Sequence, residues 1–333
     1  MADKVIDPKT PPPLTVADAE AVPTWRAAYS DRTAAMMAKF SQLAYVPFDN
    51  PLDRTAGKKP EKPGGQEVLK ALLAGGDFEL KAVFNWNFVQ AFLAVNPQQF
   101  AVLAFRGTAN KQDWAINLDA TRILLPGYDG VKVHRGFWNA FQEQRDEIAA
   151  ALALHVPADL GLYITGHSLG GALAQVASAV LERDNLAACY TFGSPRVGTL
   201  RFDRRVKCPH YRLVNHWDLV PGVPPPAPWG YLHTGDPRLL VGERPREALR
   251  RDRYPPAWAL AQLEALVLAP FRGGLFSIDD HMIWNYRTFL EKVAASRAAK
   301  AAQRLAAGVV ADPAPATPAP PPKRRARKTP VAV

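Results

Sequence analysis

The apolar run Leu160-Gly161-Leu162-Tyr163-Ile164-Thr165 leads directly into Gly166-His167-Ser168-Leu169-Gly170, and Gly171-Ala172-Leu173-Ala174 follows without a break. A buried strand, a GxSxG pentapeptide and a helix rich in Ala and Leu therefore stand end to end. Three fixed positions match by chance about 0.1 times in a chain of this length, so the pentapeptide alone is weak. Its setting is what constrains the fold. A strand that turns at once into a helix forces the serine into a strained conformation, and its neighbours need glycine to avoid clashes. The same turn sets the Ser168 hydroxyl at a helix N-terminus, where backbone N–H groups and the helix dipole favour negative charge. A glycine-rich turn without chemistry is the alternative.

The segments around this turn repeat one pattern. Phe78 to Phe84, Val89 to Val95, Phe100 to Phe105, Leu160 to Thr165, Ala187 to Phe192 and His210 to Asn215 read as strands. The continuous apolar run Phe100 to Phe105 suits a strand buried on both faces. Helical spacing is expected over Asp31 to Val46, Gly136 to His155, Ser168 to Arg183 and His281 to Ala306. Strands alternating with helices predict an α/β domain with a largely parallel central sheet flanked by helices. Residues 24–311 are expected to form that single domain. Residues 1–23 read as a loose proline-rich arm, and residues 312–333 as a disordered Pro/Ala-rich tail ending in Lys323, Arg324, Arg325, Arg327 and Lys328.

A serine hydroxyl is a poor nucleophile at neutral pH. It needs a base within hydrogen-bond reach and a third group that holds the base. Where a GxSxG turn carries chemistry, the partners follow in the order acid, then histidine. Asp218 lies just beyond the strand His210 to Asn215, at the sheet edge where sites of open α/β sheets collect. An aspartate closing a turn before Pro221 is the alternative. Only His233 and His281 come after Asp218. His281 is favoured by chain order and by its place at the head of the final helix; His233 reads as part of a strand leading into a turn. For His134, His155, His167, His210 and His216, surface or structural roles are expected.

A developing oxyanion needs fixed donors. The Leu169 N–H is the first candidate, and Thr108, after Phe105-Arg106-Gly107, is the second. Beyond it, residues 109–125 hold Trp114, Ile116 and Leu118 at a spacing that suits a short amphipathic helix over the mouth of the site. This segment is read either as a lid that opens at a lipid surface or as a rigid packed helix.

These motifs carry a resemblance. From Phe100 to Asp236, and again near Asp280, the chain resembles the fungal-type class 3 lipases of the α/β-hydrolase superfamily. The shared stretches are Phe105-Arg106-Gly107-Thr108, Asp113-Trp114, Val133-His134-Arg135-Gly136-Phe137, Thr165 to Ala174, Phe192-Gly193-Ser194-Pro195-Arg196-Val197-Gly198, Asp218-Leu219-Val220-Pro221, Tyr231-Leu232-His233-Thr234-Gly235 and Asp280-His281. The resemblance implies a triad of Ser168, Asp218 and His281, oxyanion donors at Thr108 and Leu169, and a lid helix around Trp114. It also implies hydrolysis of acylglycerol esters with neither a metal nor an organic cofactor. Residues 237–279 are longer than the compact fungal pattern. A phospholipase, a short-chain or feruloyl-type esterase, and a non-catalytic lipid- or membrane-binding protein on the same fold are the competing readings.

Charge and cysteine usage bound the rest. The 333 residues carry a net charge of +10. Such a balance favours encounter with a lipid interface or an anionic membrane surface, with a solvated surface as the more common alternative; a lipid or other ester substrate is expected. No aromatic-basic pattern accompanies it, so specific nucleic-acid recognition is not expected. Cys189 and Cys208 read as two small core residues that could pair without the fold depending on it. Neither a basic start followed by an apolar stretch nor a spanning apolar run is found. The expectation is a cytoplasmic protein, or one exported by a route without such a signal.

Overall fold

The computed structural model describes residues 7, 9–23, 28–46, 65–86, 89–107, 121–216, 218–226, 228–240, 249–250 and 278–306. The chain divides into two compact units, Met1–Ala295 and Ser296–Val333. The first holds a single large sheet. In chain order its strands are β1 (Glu79–Trp86), β2 (Val89–Asn96), β3 (Phe100–Phe105), β6 (Leu162–His167), β7 (Leu186–Phe192), β8 (His210–Asn215), β9 (Asp236–Leu240) and β10 (Leu249–Arg250), and they lie side by side in that order. The short strands β4 (Arg122–Leu124) and β5 (Lys132–His134) form a separate hairpin. The middle of the large sheet, from β3 through β6, β7 and β8 to β9, is parallel; both ends are antiparallel.

Alternation along each strand feeds two cores. In β3, Ala101, Leu103 and Phe105 join one cluster, while Phe100, Val102 and Ala104 join the other. β2 divides in the same way, with Ala91, Leu93 and Val95 against Phe92 and Ala94. Strands buried on both faces have no polar side to show, so they read as unbroken apolar runs. The first cluster is covered by α4 (Arg135–Gln142), α5 (Arg145–His155) and α6 (Leu169–Val180). On the opposite face lie α1 (Val16–Glu20), α2 (Asp31–Leu43), α3 (Gly65–Ala74) and the start of the final helix α9 (Ile283–Ala306). Every residue of α6 is buried, which accounts for a helix that is apolar all round. Among the described residues, no helix is long and apolar enough to cross a membrane.

Four details depart from the sequence reading. Residues expected in a loose arm include α1, whose Thr15 and Asp18 form a reciprocal capping box; Leu14 before it is buried. The helix expected over Gly136 to His155 is two helices, because Gln144 leaves helical geometry at φ −116°, ψ 0°. Its buried amide donates to the Val89 carbonyl of β2 at 3.0 Å. The last helix is interrupted at Met282, which separates a short α8 (Ile278–His281) from α9. The carbonyls just before the break are taken by side chains. Asp280 O accepts from Asn215 Nδ2 at 2.9 Å, and His281 O lies 2.5 Å from His167 Nε2. Finally, the end of the stretch expected as a lid helix is strand β4.

Candidate active site

Three neighbouring parallel strands end together. His167 closes β6 beside Phe192 of β7, and Phe192 pairs with Leu213 of β8. The residues that follow these ends, Ser168, Gly193 and the turn Asn215 to Asp218, therefore share one edge of the sheet. The end of β3 adjoins them, since Phe105 pairs with Gly166.

Ser168 sits between β6 and α6 with φ 58°, ψ −128°. A positive φ is costly for a residue with a side chain and persists only when the surroundings impose it. Here the Ser168 N–H is tied to Phe192 O at 2.9 Å, and its carbonyl receives the Gly171 N–H at 2.9 Å. The hydroxyl does not cap the helix it precedes. Leu169 occupies the first helical position, where an N–H has no partner within the helix.

Asp218 is almost fully buried, at 1% exposure, and both of its oxygens accept hydrogen bonds. Oδ2 accepts from His281 Nδ1 at 2.8 Å and from the Tyr286 hydroxyl at 2.6 Å. Oδ1 accepts from the Val220 N–H at 2.9 Å. A carboxylate can only accept, so the proton of the His281 ring is on Nδ1 and Nε2 is left as the basic nitrogen. Tyr286 is held in turn by the Asn215 N–H at 2.9 Å and by an edge-on contact with Phe192, ring centroids 6.0 Å apart. Burial, with Asp218 beside it, pushes its hydroxyl pKa well up, so Tyr286 stays a donor.

Two glycines make room. Gly193 has φ +56°, and a Cβ there would stand 3.0 Å from His281 Nδ1 and closer still to Asp218 Oδ2. Gly107 follows β3, and a Cβ on it would lie 3.1 Å from Ser168 Cβ. The loop after β3 thus passes directly against the serine. The His281 ring stands 4.5 Å, centroid to centroid, from the ring of His167, the residue before Ser168.

The structure gathers Ser168, Leu169, Asp218 and His281 at one edge. Thr108, Trp114, Ile116 and Leu118 lie outside the described residues, as does most of 237–279. His233 is half-buried, and desolvation followed by the charges of Arg212 and Arg196 holds its pKa well below the ordinary value. His134 caps α4 and stacks on Phe137, with centroids 4.1 Å apart. His210 lies between the hydroxyls of Thr191 and Thr234, 2.9 Å from each. Both cysteines are buried, free thiols whose pKa values desolvation raises, Cys208 to about 11. Sequence reasoning missed Tyr286, Gly193 and Asn215 as parts of the site. Among the described residues, no group of three or more His, Cys, Asp or Glu side chains could hold a metal ion.

Comparison with known proteins agrees with this geometry. The profile of the family described as lipase (class 3) matches residues 102–227. A lipase of Rhizomucor miehei is 30% identical over 183 residues, covering 50% of this chain and 50% of that one. Secreted mono- and diacylglycerol lipase 1 of Fusarium solani is 35% identical over 161 residues, covering 46% of this chain and 48% of that one. The chain thus spans about half the length of these curated relatives. Among solved structures, a triacylglycerol lipase whose catalytic centre is a serine protease triad superposes with a TM-score of 0.52. It is 25% identical, over 62% of this chain and 80% of that one.

Proposed function

From the match of residues 102–227 to the class 3 lipase profile and from the α/β-hydrolase fold, we propose that the chain is a member of the fungal-type class 3 lipase family and a serine carboxylic ester hydrolase acting on acylglycerols. The observation that carries this reading is the buried Asp218–His281 hydrogen bond at the sheet edge beside the strained Ser168.

In this reading Ser168 Oγ attacks the ester carbonyl while His281 Nε2 takes its proton. Asp218 keeps the imidazole in the Nδ1–H tautomer and stabilises the imidazolium as it forms. The tetrahedral oxyanion is met by the Leu169 N–H and by Thr108, which follows the Gly107 that touches Ser168. His281 then protonates the leaving alcohol, and the acyl group remains on Ser168. Water, deprotonated by His281, attacks the acyl-enzyme; as the C–Oγ bond breaks, His281 returns that proton to Ser168 Oγ, the fatty acid is released and the free enzyme is restored. Each step moves one proton between His281 and an oxygen.

The test is a panel of p-nitrophenyl esters of rising chain length, a diacylglycerol, a triacylglycerol and a phospholipid, run on the full chain and on Ser168→Ala. Hydrolysis of acylglycerols by the wild type, lost in Ser168→Ala with the far-UV spectrum unchanged, is the expected result. Turnover that survives in Ser168→Ala overturns the mechanism. Preference for the phospholipid overturns the substrate class.

A further inference from the structure

A second chain of hydrogen bonds runs behind the triad, through residues that the reaction does not use. Tyr45 lies in the turn after α2 and is half-buried against the second core cluster. Its hydroxyl is 2.7 Å from His167 Nδ1 and stands directly against Gly107, where a Cβ would collide with it. The other nitrogen of His167, Nε2, is 2.5 Å from the His281 carbonyl. The direction of each bond follows from the chemistry of its ends. A carbonyl can only accept, so His167 Nε2 carries a proton. In the neutral ring Nδ1 then offers a lone pair, and the Tyr45 hydroxyl donates to it. Burial pushes the Tyr45 pKa up, which keeps the hydroxyl proton in place to be donated. The rings of Tyr45 and His167 are 5.8 Å apart, and the Arg106 guanidinium lies 5.8 Å from the Tyr45 ring centre.

We propose that Tyr45 and His167 are positioning residues that fix the spacing between the loop after β3 and the backbone of His281. The proposal rests on the serine hydrolase reading above. Gly107 precedes the expected oxyanion donor Thr108, His167 precedes Ser168, and the accepting carbonyl belongs to His281 itself. Two hydrogen bonds and the packing of the phenol oxygen on Gly107 thus grip the backbone next to the oxyanion site, the nucleophile and the base. The two bonds span 122 residues of sequence on one side and 114 on the other, joining parts of the chain that no local turn relates. A misplacement of about 1 Å between reacting groups can lower a rate by about 10²-fold. The role assigned to each side chain runs through the backbone that it holds.

Two measurements on the full chain test the assignment. In Tyr45→Phe, which keeps the ring and removes only the hydroxyl, reactive sites are counted by stoichiometric inactivation with an organophosphate, and p-nitrophenyl butyrate turnover is measured per counted site. The expected result is one site per chain, a kcat lowered about 10–100-fold and a KM within about twofold, because alignment and not binding is lost. An unchanged kcat per site, even with a lower Tm, overturns the proposal, since it would mean that the hydroxyl serves stability alone. The second measurement needs no variant. Nitrogen-15 shifts of the His167 ring should report the neutral Nε2–H tautomer with an acceptor at Nδ1; the Nδ1–H tautomer overturns the chain of bonds. A wild-type protein with no reactive site and no esterase activity contradicts the functional reading, a result distinct from either of these.

Discussion

Among the described residues, His281, Tyr286 and Val220 donate to Asp218, and they differ in what their loss does. Asp218→Asn replaces an acceptor oxygen by an NH₂ group and favours the wrong tautomer of His281. Turnover is expected to fall about 10⁴-fold with little change in KM, by analogy with the same change in the chymotrypsin-type triad. Tyr286→Phe removes one charge-assisted bond and leaves those from His281 and Val220, so a loss of about tenfold in kcat is expected. Parallel Michaelis–Menten series on the two variants check both figures, and equal losses would contradict the ranking. Gly193→Ala puts a methyl group against His281 and Asp218 at a φ of +56°. Its kcat is expected to fall by about 10²-fold or more, the scale of a displaced catalytic group. Ser168, Asp218 and His281 were legible because a local glycine pattern fixes the first and chain order restricts the others. Tyr286 was not legible. Five residues after His281, it reads as one more core aromatic of a helix, and only the folded chain brings its hydroxyl under Asp218.

At the scale of elements, the strands were the most readable parts. A strand buried on both faces has a continuous apolar run that survives in the sequence, as in Phe100–Phe105. Helix interruptions were less legible, because their causes are tertiary. Gln144 turns to reach Val89, and the carbonyls of Asp280 and His281 are claimed by Asn215 and His167. Nothing within either segment marks the break. The second interruption has functional weight, since it lifts His281 out of the helix that follows. The helix after the serine carries a different load. Leu173, fully buried in α6, packs in the core between helices and sheet, and Leu173→Ala is expected to cost about 2–5 kcal/mol of stability, measured by urea unfolding. For residues 109–120, the lid is a proposal that rests on their apolar spacing. It predicts a step in activity as a soluble ester passes its solubility limit, and a smooth saturation curve would contradict it.

Across the whole molecule, buried polar groups tie distant parts of the chain together. Lys39 of α2 meets Asp18 of α1 at 2.7 Å and Glu291 of α9 at 3.5 Å, so both ends of the first compact unit are pinned to one helix. Such a clamp leaves little trace in sequence, because its charges look like solvated surface residues until the helices are packed. His210 couples the core to pH. Burial first, and Arg212 second, lower its pKa to about 3. The unfolded imidazole takes up a proton near pH 6.5, whereas the folded one stays neutral down to about pH 3. As pH falls between those values, the unfolded state gains a proton that the folded state lacks. Stability is therefore present in full above the unfolded value and is lost on acidification, by up to about 1.4 kcal/mol per pH unit from this group. Tm measured from pH 7 to pH 4 should fall less steeply in His210→Gln than in the wild type, and parallel slopes would count against the assignment. At this scale the α/β layering was readable from the alternation of segments, whereas residues 1–23 were not. Their prolines hid the capped α1 and the buried Leu14.

The claim on which the account turns is that His281, held by Asp218, makes the hydroxyl of Ser168 nucleophilic. Peptide mapping by mass spectrometry after treatment with a fluorophosphonate tests it most directly. The account predicts one adduct per chain, on Ser168, formed quickly in the wild type and at least about 10³-fold more slowly in His281→Ala, where no base remains to take the proton. An adduct on any other residue, or equal labelling rates in the two proteins, would contradict it.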